Sequence, residues 1–205
     1  MAKPRPGRRS GVADHLRHLG RFIRNPQTIG AVAPSSATLA RRMVAGLDFG
    51  PGVRIVELGP GTGAFTRAIV ERLGSSGRYL GIDLEPTFVE EIHQRWPDLD
   101  VVCASAERLA ELADARGLAP VDHIVSGLPF ASLPRPMTRG ILAGIQATLR
   151  PGGTFTTFVY FHSFGLPPAI AFRRDMTELM GTRLESWRVM RNVPPAIVMR
   201  WSMKK

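Results

Sequence analysis

Val53–Arg54–Ile55–Val56–Glu57–Leu58–Gly59–Pro60–Gly61–Thr62–Gly63–Ala64 is the stretch that decides the fold of this chain. A mostly apolar run of strand length passes straight into glycines at alternate positions, and a helical pattern opens at Ala64. Glycine lets the backbone reverse tightly and lets a ligand approach the main chain with no Cβ between them. The following helix aims its unpaired N–H groups and the positive end of its dipole at the same place. A strand–loop–helix unit of this kind belongs to a parallel α/β sheet with a ligand cradle at the carboxyl end of its first strand.

The pattern outside this stretch alternates in the same way. Strands are expected at Tyr79–Leu84, Val101–Cys103, Asp122–Ser126 and Thr154–Phe161, with helices near Ala64–Leu73, Phe88–Arg95, Ala106–Arg116 and Met137–Leu149. Strands separated by helices imply right-handed crossovers and a parallel sheet. Beyond a helix at Ala169–Met180, Leu184–Arg191 and Ile197–Met203 read as two strands joined by Asn192–Val193–Pro194–Pro195, an antiparallel hairpin closing one sheet edge. Upstream, Val12–Arg24 carries Val12, Leu16, Leu19 and Ile23 at helical spacing, and Asn25–Pro26 ends that helix. A second helix is expected from Ser35–Ser36 to Gly46. The expected division is a basic N-terminal segment over residues 1–34 and one α/β domain over 35–205.

With 205 residues, the chain has room for one such domain and too little for two. Its best apolar run, Phe155–Phe161, falls short of a spanning helix and contains two threonines. Met1–Gly11 is basic and proline-rich, without the apolar core of a secretory signal. A single cysteine, Cys103, excludes an internal disulfide and a multi-cysteine zinc site; it is expected to be buried on the third strand. The histidines lack ligand spacing, so no metal is expected. Lys plus Arg number 27 against 17 Asp plus Glu, a net charge of +10 that favours a polyanionic partner, nucleic acid or an anionic lipid surface.

Asp83 ends the second strand about 20 residues beyond the glycine loop, placed to accept hydrogen bonds from ribose hydroxyls. Gly59, Gly61 and Ala64 also satisfy the loose dinucleotide pattern, and by themselves do not separate the nicotinamide cofactor from others. Glu57 stands two residues before the first glycine, where a carboxylate meets the cationic amino group of a methionine tail. The wider Gly61–Thr62–Gly63 turn suits the same tail. Ser105–Ala106 follows the third strand, and Gly127–Leu128–Pro129–Phe130 the fourth.

On these residues the chain resembles Class I S-adenosylmethionine-dependent methyltransferases, a Rossmann-like, mostly parallel seven-stranded fold. Within them it resembles the bacterial phospholipid N-methyltransferases and the related ribosomal RNA adenine dimethyltransferases. The resemblance implies that Glu57, Gly59, Gly61, Thr62 and Gly63 hold the methionine portion. It further implies that Asp83 and Leu84 receive the ribose side, that Ser105 and Ala106 border the adenine, and that Gly127 also contacts the cofactor. Many relatives carry aspartate where Ser105 stands. Thr28–Ile29–Gly30–Ala31–Val32–Ala33–Pro34–Ser35–Ser36, the Ser126–Pro134 stretch and Arg191–Asn192–Val193–Pro194–Pro195–Ala196 look like segments of the phospholipid enzymes, so phosphatidylethanolamine and its mono- and dimethyl products are the expected acceptors. RNA adenine methylation is the alternative, weakened because Gly127 has no side chain to hold a base amino group. A cofactor-binding adaptor without turnover is a third reading.

Phe130, Tyr160 and His162 are the candidates for acceptor contact or proton acceptance. Lys3, Arg5, Arg8, Arg9, Arg17, Arg21 and Arg24, opposed only by Asp14, predict that the N-terminal amphipathic helix lies on an anionic membrane surface. A cytoplasmic chain held peripherally at the inner face of the membrane is the corresponding expectation, with no nucleic acid partner.

Overall fold

Ile55, Val56 and Leu58 are fully buried, because the strand they form is covered by helices on both faces. The structure is a computed structural model, and it describes residues 37–181 and 185–204. The expected helix at Val12–Arg24, the 28–36 segment and Leu184 lie outside the described residues.

The described chain runs α1 (Ala37–Val44), β1 (Arg54–Leu58), α2 (Ala64–Val70), β2 (Arg78–Asp83), α3 (Pro86–Arg95), β3 (Val101–Cys103), a 3₁₀ turn (Ala106–Arg108) and α4 (Leu109–Asp114). It continues through β4 (Val121–Ser126), α5 (Arg135–Thr148), β5 (Leu149–Tyr160), a second 3₁₀ turn (Phe161–Ser163), α6 (Pro167–Met180), β6 (Glu185–Val189) and β7 (Ala196–Ser202). The seven strands form one sheet in the order β3-β2-β1-β4-β5-β7-β6. Pairing is parallel from β3 to β5, while β7 runs antiparallel to both β5 and β6. The expected mixed, Rossmann-like sheet with an antiparallel C-terminal hairpin is what forms.

Strand alternation sorts the core. On one face Ile55, Tyr79 and Val101 pack with Leu39, Met43 and Val44 of α1, Phe65 and Ile69 of α2, and Ile92 of α3. The opposite face carries an aromatic cluster. There Phe155 meets Trp201 at 6.2 Å, and Phe172 of α6 meets Trp201 edge-on at 6.1 Å.

Two expectations are corrected in detail. The expected Ala106–Arg116 helix begins as a 3₁₀ turn, since Ser105 takes the N-cap and accepts from the Glu107 N–H at 3.3 Å. β5 starts at Leu149, before the expected Thr154: Leu149 pairs with Val121, and the register then shifts before pairing resumes between His123 and Thr154.

Chain direction positions the site. From β1 the chain builds outward to β3, then returns to the other side of β1 to lay down β4. Crevices at such a reversal, beyond the carboxyl ends of the strands, are where open α/β sheets bind ligands.

Candidate functional site

The glycine loop occupies that crevice. Gly59, Gly61 and Gly63 have φ of 70°, 54° and 81°, all left-handed, so each is a backbone demand. The surroundings add separate demands. A Cβ on Gly63 would stand 2.8 Å from Ile92 and 3.0 Å from Trp96, because α3 packs against the loop. Gly61 meets nothing within 4 Å and opens on free space. Arg95 steadies the turn by donating to the Thr62 carbonyl at 2.6 Å.

Glu57 lies beneath the loop, fully buried. Its Oε2 accepts from the Thr66 hydroxyl at 2.8 Å and the Tyr79 hydroxyl at 2.6 Å, while Oε1 has no hydrogen-bond partner among the described residues. Burial pushes this carboxyl up to about 7; the Tyr79 and Thr66 bonds oppose the rise, and the nearby Asp83 charge adds to it. Burial, followed by the charge of Glu57, holds the Tyr79 phenol well above its ordinary range, so it stays protonated and keeps donating. Tyr79 reaches Glu57 because Gly81, the register partner of Glu57, has no side chain. A Cβ on Gly81 would stand 2.9 Å from the Tyr79 oxygen.

Asp83 is also buried, and its two oxygens are shared between the loop and the next turn. Oδ2 accepts from the Gly61 N–H at 2.9 Å, and Oδ1 from the Glu85 N–H at 3.0 Å. Burial raises its carboxyl, and the backbone donors of Glu85, Gly61 and Leu84 pull it back. Leu84 is exposed beside it, offering an apolar surface next to the loop. Cys103 is exposed rather than buried, because β3 is a three-residue edge strand and its end is uncovered. The Ser105 hydroxyl is committed to its cap and donates to the Glu107 carboxylate at 3.2 Å, with Ala106 half-buried beyond it.

On the other side of the crevice, Gly127 N–H donates to the Leu58 carbonyl at 2.8 Å. A Cβ on Gly127 would lie 2.6 Å from the Gly59 carbonyl oxygen, so the loops after β1 and β4 touch backbone to backbone. Phe130 must be corrected. It is buried, stacked on Phe172 at 4.2 Å and edge-on to Phe155 at 6.1 Å. Its ring belongs to the core of the opposite face, drawn there by apolar burial. Tyr160, at the end of β5, and His162, in the 3₁₀ turn after it, instead extend a row of rings that starts on α2. Phe65 meets Phe158 at 5.8 Å, Phe158 meets Tyr160 at 5.3 Å, and Tyr160 stacks on His162 at 5.8 Å. The row passes from buried Phe65 to exposed His162, leading from the glycine loop to solvent. Partial burial raises the Tyr160 phenol.

Comparison with known proteins agrees with this geometry. The methyltransferase domain family matches residues 55–153. The ornithine lipid N-methyltransferase of Singulisphaera acidiphila is 32% identical over 147 residues, covering 70% of this chain and 77% of that enzyme. The chain belongs to the S-adenosylmethionine-dependent methyltransferases. Two solved structures share the fold. The Burkholderia thailandensis 1,6-didemethyltoxoflavin-N1-methyltransferase, with S-adenosylhomocysteine bound, has a TM-score of 0.66 at 22% identity, over 100% of this chain and 94% of that one. The N-methyltransferase NodS of Bradyrhizobium japonicum, also with S-adenosylhomocysteine, has 0.64 at 17% identity, over 93% and 99%.

The methyltransferase site fits this cofactor on its own terms. The bare Oε1 of Glu57 is a buried acceptor awaiting a donor, and an unmet buried carboxylate oxygen costs on the order of 1–3 kcal/mol. An ammonium, the charged end of a methionine tail, meets that need. Gly61 leaves room for main-chain contact, and exposed Leu84 supplies an apolar surface for a flat ring. Thr66, Tyr79, Gly81 and Arg95 support the site, though motif reading passes over them. Each acts across elements, and a lone Thr or Tyr in an apolar segment carries no local signal of it.

Proposed function

We propose that this methyltransferase transfers methyl groups to the amino headgroup of a membrane lipid, with phosphatidylethanolamine and its mono- and dimethyl products as acceptors. The observation that carries the reading is the 32% identity to an ornithine lipid N-methyltransferase across most of both chains. Phosphatidylethanolamine, like an ornithine headgroup, presents a primary amine.

When bound, S-adenosylmethionine supplies an electrophilic methyl group, so the chain's own residues have mainly to orient and deprotonate the acceptor. Glu57 would hold the cofactor's ammonium, Asp83 its sugar, and the glycine loop its tail. A primary amine like that of lysine has an ordinary pKa near 10.4, and its ammonium form has no lone pair to offer. The Phe65–Phe158–Tyr160 row would disfavour the charged form by desolvation. His162, exposed at the end of the row, would pass the released proton to solvent. The basic N-terminal segment, outside the described residues, would hold the chain on the anionic inner face of the membrane.

The test is incubation with radiolabelled S-adenosylmethionine and mixed micelles containing phosphatidylethanolamine. Label in mono- and dimethylated lipid is the expected result. Label in ribosomal RNA with none in lipid overturns the reading, as does cofactor binding with no turnover on either.

A further inference from the structure

Six large apolar side chains stand exposed among the described residues, and five fall in two segments at the carboxyl edge of β5. Phe161 (50% exposed), Leu166 (47%) and Ile170 (51%) follow β5, while Met190 (63%) and Val193 (64%) sit in the turn between β6 and β7. The two segments adjoin. The Phe161 N–H donates to the Pro195 carbonyl at 2.8 Å, and Tyr160 pairs with Ala196, which pairs in turn with Val189.

Scattered apolar exposure is ordinary, but five such side chains at one edge mark an interaction surface. Hairpin turns facing water favour small polar residues, and Met190 and Val193 are neither. The turn is also held in shape from within. Asn192 is buried, and its Nδ2 donates to the Pro194 carbonyl at 2.7 Å, so presenting the two apolar side chains costs little ordering.

Charge selects the occupant. Arg188 and Arg191 bracket Met190, both are exposed, and neither forms an ion pair among the described residues. An apolar tip flanked by free guanidiniums matches a boundary that is apolar in depth and anionic at its surface. The tip enters the acyl margin while the arginines stay among phosphates. A protein groove receiving the same tip would have to desolvate or pair both cations.

We propose that this edge docks onto an anionic bilayer, with Met190 and Val193 inserted and Arg188 and Arg191 at headgroup level. The proposal rests on the lipid reading for its occupant and deepens it. Docking here brings the open end of the ring row, Tyr160 and His162, to the plane where headgroup amines lie.

The test uses the full chain. Met190→Cys in a Cys103→Ser background carries an environment-sensitive fluorophore, read against phosphatidylglycerol-containing and pure phosphatidylcholine vesicles. A blue-shifted emission with the anionic vesicles is expected, and vesicle binding without a shift overturns the proposal. In parallel, M190D/V193D is expected to weaken association with anionic vesicles by about tenfold or more while S-adenosylhomocysteine affinity holds. Unchanged association overturns the proposal, as does a wild-type dimer that this variant splits while vesicle binding persists. Activity on lipid in detergent micelles separates the two readings. No lipid product there, with the emission shift intact, strikes the substrate assignment and leaves docking standing. Product there without a shift strikes docking alone.

Discussion

At the scale of single residues, Glu57 behaves as a titratable socket, one oxygen tied down and the other bare. Its native value of about 7 lies above the ordinary 4.5, so between those values the native state holds a proton that the unfolded chain has lost. Stability therefore falls as pH rises through this window and levels off above it, by about 3 kcal/mol from this group. Glu57→Gln should remove that component, which chemical denaturation of both proteins at pH 5 and pH 8 would measure as a difference of slopes. The ligand side has the opposite sign. An ammonium needs the ionised carboxylate, so S-adenosylhomocysteine affinity should rise toward pH 7 by up to tenfold per unit, with proton release on binding below it. Calorimetry in buffers of differing ionisation enthalpy reads that proton directly. Tyr79→Phe removes one of the two hydroxyls favouring the charged form, and the midpoint of the affinity profile should move up by about one unit. An unmoved midpoint would show that Tyr79 is only packing.

Among the elements, the approach of two loops sets the site. Gly127→Ala places a methyl 2.6 Å from the Gly59 backbone oxygen, so the loop after β1 must shift. A destabilisation of about 1–3 kcal/mol with weakened S-adenosylhomocysteine binding is expected, measured by urea unfolding and calorimetry on the same sample. Phe130→Ala should separate the two measurements. Its ring fills the space between Phe155 and Phe172, so removal should cost about 3–5 kcal/mol of stability while the folded fraction binds cofactor with unchanged affinity. A loss of affinity with little loss of stability would return Phe130 to the site. These two residues show why adjacency in sequence misleads here. Gly127 and Phe130 share one short loop and serve opposite faces of the sheet. Phe130 is claimed by α6, some forty residues further along, and no local pattern in the loop announces that partner.

For the whole molecule, two kinds of electrostatics should respond differently to salt. Raising ionic strength from about 0.1 M to about 1 M shortens the screening length from about 10 Å to about 3 Å. Association of this +10 chain with anionic vesicles should fall steeply across that range, whereas S-adenosylhomocysteine affinity should change little, because Glu57 is buried beyond the reach of mobile ions. Parallel titrations of vesicle co-sedimentation and cofactor binding test this, and equal sensitivity of the two would contradict it.

The amino-acid order alone determined the strand sequence, the glycine cradle and the acid at the end of β2, because each is written in neighbouring residues: apolar runs, left-handed positions, and a carboxylate at fixed spacing. It also determined the C-terminal hairpin, through the prolines between two strand-like runs. Only the tertiary structure decided that Tyr79 and Thr66 leave Glu57 half satisfied, a contact spanning 22 residues that depends on the missing side chain of Gly81. Packing likewise exposed Cys103, buried Phe130 and gathered five apolar side chains at one edge. Burial depends on what covers a residue, and the covering elements arrive from distant parts of the chain.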